Sequence, residues 1–205
     1  MKLHIVSLSL FALCLAVIPA VAQTDLYDNG PTNGTNTAWT INDGFAVSDS
    51  FTLGNASTIN GLNFAAWVFP GDVIQSSEIE ITSSEYGGST YFDQVVSFTQ
   101  SGCVSNQLGY NVCNESASFA GPLLNAGTYW LTLSNTYTQS GQDDPVYWDE
   151  NLGRSTASEN EVGTIPSESF TLLGTTTGGT TPEPSSIILF GSGILGLAGV
   201  RRKLL

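Results

Sequence analysis

The sequence predicts an all-β protein, one antiparallel β-sandwich set between an N-terminal signal peptide and a single C-terminal hydrophobic helix. Between residues 23 and 181 no segment places apolar residues at helical spacing over several turns. Instead Gly, Asn, Ser and Thr recur about every 8 to 12 residues, the rhythm of short strands and turns. Several segments also alternate: Ile79 and Ile81 against Glu78 and Glu80, and Tyr129, Leu131 and Leu133 against Trp130 and Thr132. Successive strand residues point to opposite faces, so this pattern marks one buried and one wetter face.

Taken in order, residues 1–22 form the signal peptide. Lys2 and His4 precede an apolar run from Leu8 to Ile18, and Ala20-Val21-Ala22 offers the small residues of a cleavage site. The run is short for a membrane span, and Leu13 before Cys14 is too large for a lipid-attachment box. The body, residues 23–173, contains strand candidates at Phe45–Leu53, Ile59–Val68, Glu78–Thr82, Tyr91–Thr99, Thr128–Ser134 and Ser169–Leu173. Asp28-Asn29-Gly30 and Asn42-Asp43-Gly44 are turn formers, because Asn and Gly tolerate positive φ. Ser48-Asp49-Ser50-Phe51-Thr52-Leu53 recurs as Ser167-Glu168-Ser169-Phe170-Thr171-Leu172, which suggests two neighbouring strands closing the sandwich at its ends. A Gly/Thr tract, residues 174–181, reads as a flexible linker.

The chain's charge is unevenly placed. Of its 18 acids all but Glu183 lie between residues 23 and 181, and of its five Lys and Arg only Arg154 does. With 17 acids against one base, the body has a formal net charge of −16. Such a surface repels phosphate backbones, so no nucleic-acid partner is expected. Cys103 and Cys113 are expected to pair in an oxidising compartment. The only histidine, His4, leaves with the signal peptide, and the body contains no Lys. Ser-His-Asp and Cys-His catalysis, lysine Schiff bases and the usual zinc sites are thereby excluded.

What chemistry remains is carboxylate chemistry. Asp143, Asp144, Asp149 and Glu150 are the densest cluster, and a glycoside hydrolase needs two such groups. Acids in a Gln-Asp-Asp-Pro loop read more simply as a solvated turn, so no catalytic residue is assigned. The same cluster, or Asp25, Asp28 and Asp43, offers oxygen ligands for a structural Ca2+. No known calcium loop accompanies them, and neither a metal site nor a cofactor is assigned. Trp130, Tyr147 and Trp148 are the candidate glycan-binding residues, Trp130 by strand alternation and the pair by its acidic, turn-rich surroundings. Indole and phenol faces stack on sugar rings whatever the net charge, so a neutral polysaccharide is the expected ligand.

Two resemblances add to this reading. Pro182-Glu183-Pro184 is followed by sixteen uncharged residues, 185–200, and then by Arg201-Arg202-Lys203. These three features in this order resemble the PEP-CTERM sorting signal, a tail also known as the ice-binding protein C-terminal domain. Thr181 stands where that family often has Val. The resemblance implies export, a stop-transfer role for Arg201, Arg202 and Lys203, and processing by an exosortase, often in an exopolysaccharide or biofilm context. The physics agrees: sixteen residues at about 1.5 Å each span roughly 24 Å, short of a hydrocarbon core of about 30 Å. The basic cluster keeps the far end cytoplasmic and the body periplasmic until release. Leu123 to Leu133, a turn delivering an aromatic-rich strand, resembles the late strand of secreted jelly-roll and carbohydrate-binding modules. The fold expected is therefore a jelly-roll-like sandwich, and the function that of a non-catalytic exported matrix protein. A secreted carboxylate-dependent glycoside hydrolase is the alternative. An ice-binding face wants a regular Thr array, and the Thr residues here are scattered.

Overall fold

The computed structural model describes residues 23–35, 37–141 and 144–177. Residues 1–22, read as the signal peptide, half of the linker (178–181) and the tail, with Pro182, Glu183, Pro184, residues 185–200 and Arg201 to Lys203, lie outside the described residues. All regular structure among the described residues is β. In chain order the strands are β1 (Thr24–Asp28), β2 (Ala38–Thr40), β3 (Ala46–Leu53), β4 (Ser57–Val68), β5 (Ile74–Ser84), β6 (Gly87–Ser97) and β7 (Thr99–Ser105). They continue as β8 (Asn111–Ser118), β9 (Leu123–Leu124), β10 (Gly127–Thr138), β11 (Tyr147–Asp149), β12 (Ala157–Glu159), β13 (Gly163–Ile165) and β14 (Phe170–Thr176).

The strands form two antiparallel sheets packed as a sandwich. One runs β13-β12-β3-β10-β5-β6. The other is built around β4, whose one edge pairs first with β14 and then with β11, while its other edge pairs with β9 and β8. From there β14 leads to β1, β11 to β2, and β8 to β7. The core lies between the sheets and is filled from both. Val47, Phe51 and Leu53 of β3, Ile79 and Ile81 of β5, and Leu131 and Leu133 of β10 face Ile59, Leu62 and Phe64 of β4, with Phe170 and Leu172 of β14. Each fully buried large side chain contributes about 1.5–3 kcal/mol. The alternation read at Ile79, Ile81, Tyr129, Leu131 and Leu133 is the alternation that fills the core.

All six strand candidates are strands, with ends moved by up to four residues. The Asn42-Asp43-Gly44 turn has Asp43 at φ 56° and Gly44 at φ 90°, with the Phe45 amide bonded to the Asn42 carbonyl. Positive φ at both central residues is the type I′ geometry. Two expectations need correction. The matched hexapeptides are not neighbouring strands: β3 and β14 lie in opposite sheets, and it is β1 that pairs with β14 to join the first and last strands. Gly174 to Thr176, read as linker, extend β14, because Ile59, Thr58 and Ser57 of β4 provide a free edge for them. A Cβ on Gly174 would stand 2.1 Å from the Thr58 carbonyl oxygen, so glycine is what lets the strands meet there.

Cys103 on β7 and Cys113 on β8 form a disulfide. It closes the hairpin next to a register shift between Ser101 and Val104, where the regular ladder is interrupted.

Candidate functional site

Asp149, at the end of β11, is fully buried yet completely employed. Its carboxylate accepts the Thr32 hydroxyl, the Asn33 amide at 2.8 Å, the Gly34 amide at 3.0 Å and the Trp67 indole N–H at 2.6 Å. Successive backbone amides turned toward one anion form a nest, which replaces the lost hydration without a positive charge. The neighbouring Glu150 accepts the Trp39 indole N–H at 3.0 Å. Asp144 accepts the Ser140 hydroxyl at 2.8 Å, and its carbonyl accepts the Asn42 amide group. The acids read as a solvated turn thus divide: Asp149 and Glu150 hold loop 32–35 and β2 to the sheet, and Asp144 ties down its own turn. Asp143 lies outside the described residues.

A second buried group joins the two sheets. The Asn29 side-chain amide donates to Asp49 Oδ2 at 3.2 Å, to Ser155 Oγ at 2.6 Å and to the Glu168 carbonyl at 2.7 Å. Asn29 Oδ1 in turn accepts the Tyr27 hydroxyl at 2.9 Å. The Glu168 amide donates to Asp49 Oδ2 at 2.7 Å. Asn151 binds the Asn29 carbonyl at 2.9 Å and accepts the Ser167 hydroxyl at 2.7 Å and the Gly153 amide at 2.8 Å. A Cβ on Gly153 would stand 2.4 Å from the Asn29 carbonyl oxygen, so the crossing admits only glycine. Burial pushes the Asp49 carboxyl up to about 6, against hydrogen bonds from Ser155 and the Glu168 and Ser50 amides that pull it down. Burial also holds Glu168 well above the usual carboxylate range, with Asp49, Glu150 and Asp149 adding repulsion. Sequence reading did not single out Asp49, Glu168 or Asn29 as a site; the signal was there in the matched hexapeptides, which place Asp49 and Glu168 at corresponding positions.

The aromatic candidates separate. Trp148 is 0 % exposed, stacked edge-on against Phe64 and Phe170, with its indole N–H donated to the Ser169 carbonyl at 2.9 Å. It is a core residue and presents no face to a sugar, because β11 turns Trp148 inward and Tyr147 outward. Trp130 is half-buried on the outer face of its sheet, between Ser50 of β3 and Thr82 of β5. Tyr147 belongs to an outer-face cluster that the sequence did not reveal. Its ring meets Tyr110 edge-on at 5.4 Å, and Tyr110 stacks at 5.1 Å on Phe69, which is 37 % exposed. Trp67 lies beneath Tyr110 at 6.1 Å. Burial and the neighbouring Tyr110 hydroxyl push the Tyr147 phenol up to about 12. Beside this cluster the Thr32–Thr35 loop and the β7–β8 hairpin enclose a groove of about 240 Å³, lined by Gly34, Val104, Val112 and Asn114 among others. Among the described residues no three of His, Cys, Asp and Glu converge closely enough to hold a metal by themselves.

Residues 180–203 match the family model of the PEP-CTERM protein-sorting motif. The chain thus carries a PEP-CTERM sorting signal, which indicates an exported protein of the cell surface or exterior and implies processing by an exosortase, a membrane protease. Among curated proteins, no sequence matches the chain.

Proposed function

We propose that the body is a non-catalytic protein of the cell envelope or extracellular matrix that binds neutral polysaccharide, in an exopolysaccharide or biofilm setting. Residues 185–200 hold it at the inner membrane with the body periplasmic until the exosortase releases it. The observation that carries the ligand reading is the outer-face cluster of Tyr147, Tyr110 and Phe69, set beside a groove and free of any base. Aromatic rings offer sugar stacking surface, and a body at −16 disfavours anionic polymers. The absence of catalysis is supported by Asp149 and Glu150, whose carboxylates are engaged by indole and backbone donors rather than held for a water.

A pull-down on an insoluble neutral glucan, with alginate as the anionic comparison, tests this. Tyr147→Ala and Tyr110→Ala should each lower the bound fraction several-fold at unchanged circular dichroism, with no binding to alginate. Undiminished binding in both variants removes the platform. Reducing sugar released by the wild-type protein moves the reading to the carboxylate hydrolase.

A further inference from the structure

Asp49 and Glu168 occupy the same place in the two matched hexapeptides, and the fold brings those hexapeptides face to face. Asp49 shares the inward face of β3 with Val47, Phe51 and Leu53. Glu168 precedes β14 by two residues and falls in phase with its inward residues Phe170 and Leu172. Tyr27 sits between the two copies, 6.2 Å from the ring of Phe51 and 5.5 Å from that of Phe170. Each hexapeptide thus delivers one carboxyl and one phenyl ring to the space between the sheets.

Both acids are 0 % exposed. Asp49 uses only Oδ2 in the hydrogen bonds around Asn29, while its Oδ1 has no hydrogen-bond partner. Neither Oε1 nor Oε2 of Glu168 has one. Three carboxyl oxygens are therefore left without donors in a water-excluded place, where each carries the full cost of lost hydration. Nothing positive offsets them. The charges acting on Glu168 come from Asp49, Glu150 and Asp149, all negative. Arg154, the body's one base, is exposed and reaches the Asp28 carbonyl instead. Asp149 and Glu150 differ from this pair, because indole and amide donors occupy their oxygens.

We propose that Asp49 and Glu168 are the charged ligands of a buried site for one hard divalent cation, Ca2+ by its chemistry. The oxygens at hand are those of two carboxylates, the Ser155 hydroxyl and the Glu168 carbonyl, and no sulfur or imidazole is within the body's means apart from its disulfide. Ca2+ takes all-oxygen sets of mixed carboxylate and neutral ligands in irregular geometry, whereas Mg2+ demands near-octahedral order. The ion would tie β3 of one sheet to the entry of β14 in the other, and so fasten the sandwich where its first and last strands meet.

The test is calorimetry on the exported protein, stripped with EDTA and exchanged into chelator-free buffer at pH 7.5. Added CaCl2 should bind one ion per chain and raise the melting temperature on the order of 5 °C at a hundredfold excess over Kd. Glu168→Gln should keep the fold in EDTA and lose the calcium response, and Asp49→Asn provides the second variant should the first fail to fold. Asp144→Asn, altering an acid outside the site, should retain the full response. The proposal is overturned if CaCl2 produces neither heat nor a shift in the wild type. A shift that persists in both site variants, or one that MgCl2 reproduces in wild type and variants alike, overturns it equally by placing the effect on the acidic surface.

Discussion

Glu115 makes the stability of this protein depend on pH in a direction opposite to that of an ordinary salt-bridged acid. It lies on β8, opposite Phe64 of β4 and Gln100 of β7, and shares its inward face with Cys113 and Ala117. The side chain is 0 % exposed and neither carboxyl oxygen has a hydrogen-bond partner. Burial alone pushes its pKa from 4.5 up to about 8. Below pH 4.5 the acid is protonated in both the folded and the unfolded chain, and its contribution is fully present. Between 4.5 and 8 the unfolded chain gives up the proton while the folded chain keeps it, so stability falls as pH rises. The slope from this one group is about 1.4 kcal/mol per pH unit, up to about 5 kcal/mol across the window. Glu115→Gln keeps the shape and removes the titration. Urea unfolding at fixed calcium, from pH 5 to 9, should show the variant's stability curve flatter than the wild type's by that slope. At pH 8 the variant should be the more stable of the two. Parallel curves for the two proteins would refute the reasoning, and so would a carbon-13 titration of the Glu115 carboxyl with a midpoint near 4.5.

Three further outcomes follow from burial and bonding. Trp148→Ala should cost about 3–5 kcal/mol in denaturant unfolding, because the ring fills the space between Phe64 and Phe170, whereas Tyr147→Ala on the outer face should cost markedly less. Asp149→Ala strands the Trp67 indole and the Asn33 and Gly34 amides at about 1–3 kcal/mol for each buried donor, and limited proteolysis should then cut within residues 31–37. Replacing Cys103 and Cys113 by Ser should lower stability by about 2–3 kcal/mol, since the bond restrains the unfolded chain over a separation of 10 residues.

The two candidate regions differ in how much of them could be seen in advance. The address was legible throughout, because a sorting signal acts as a linear string: Pro182 to Pro184, the apolar run and Arg201 to Lys203 are recognised in sequence order. The β class and the six longer strands were legible too, since alternation such as Ile79–Glu80–Ile81 is local and is dictated by the pleat. Strands β1, β2, β7, β8, β9, β11, β12 and β13 were not, being short or polar and held as strands by the edges they pair with rather than by their own propensity.

The packing of the two sheets settles which polar residues are inside and what they meet there. Tyr147 and Trp148 are adjacent in sequence and alike in composition, and their opposite fates follow from which face of β11 lies against Phe64. Asp49 and Glu168 show the same division. Their matching hexapeptides were visible in the chain, but a repeat does not say whether its copies pair edge to edge or face one another across a core. Pairing is a local register, and facing is set by the packing of two sheets, a non-local arrangement that brings residues 119 positions apart into contact.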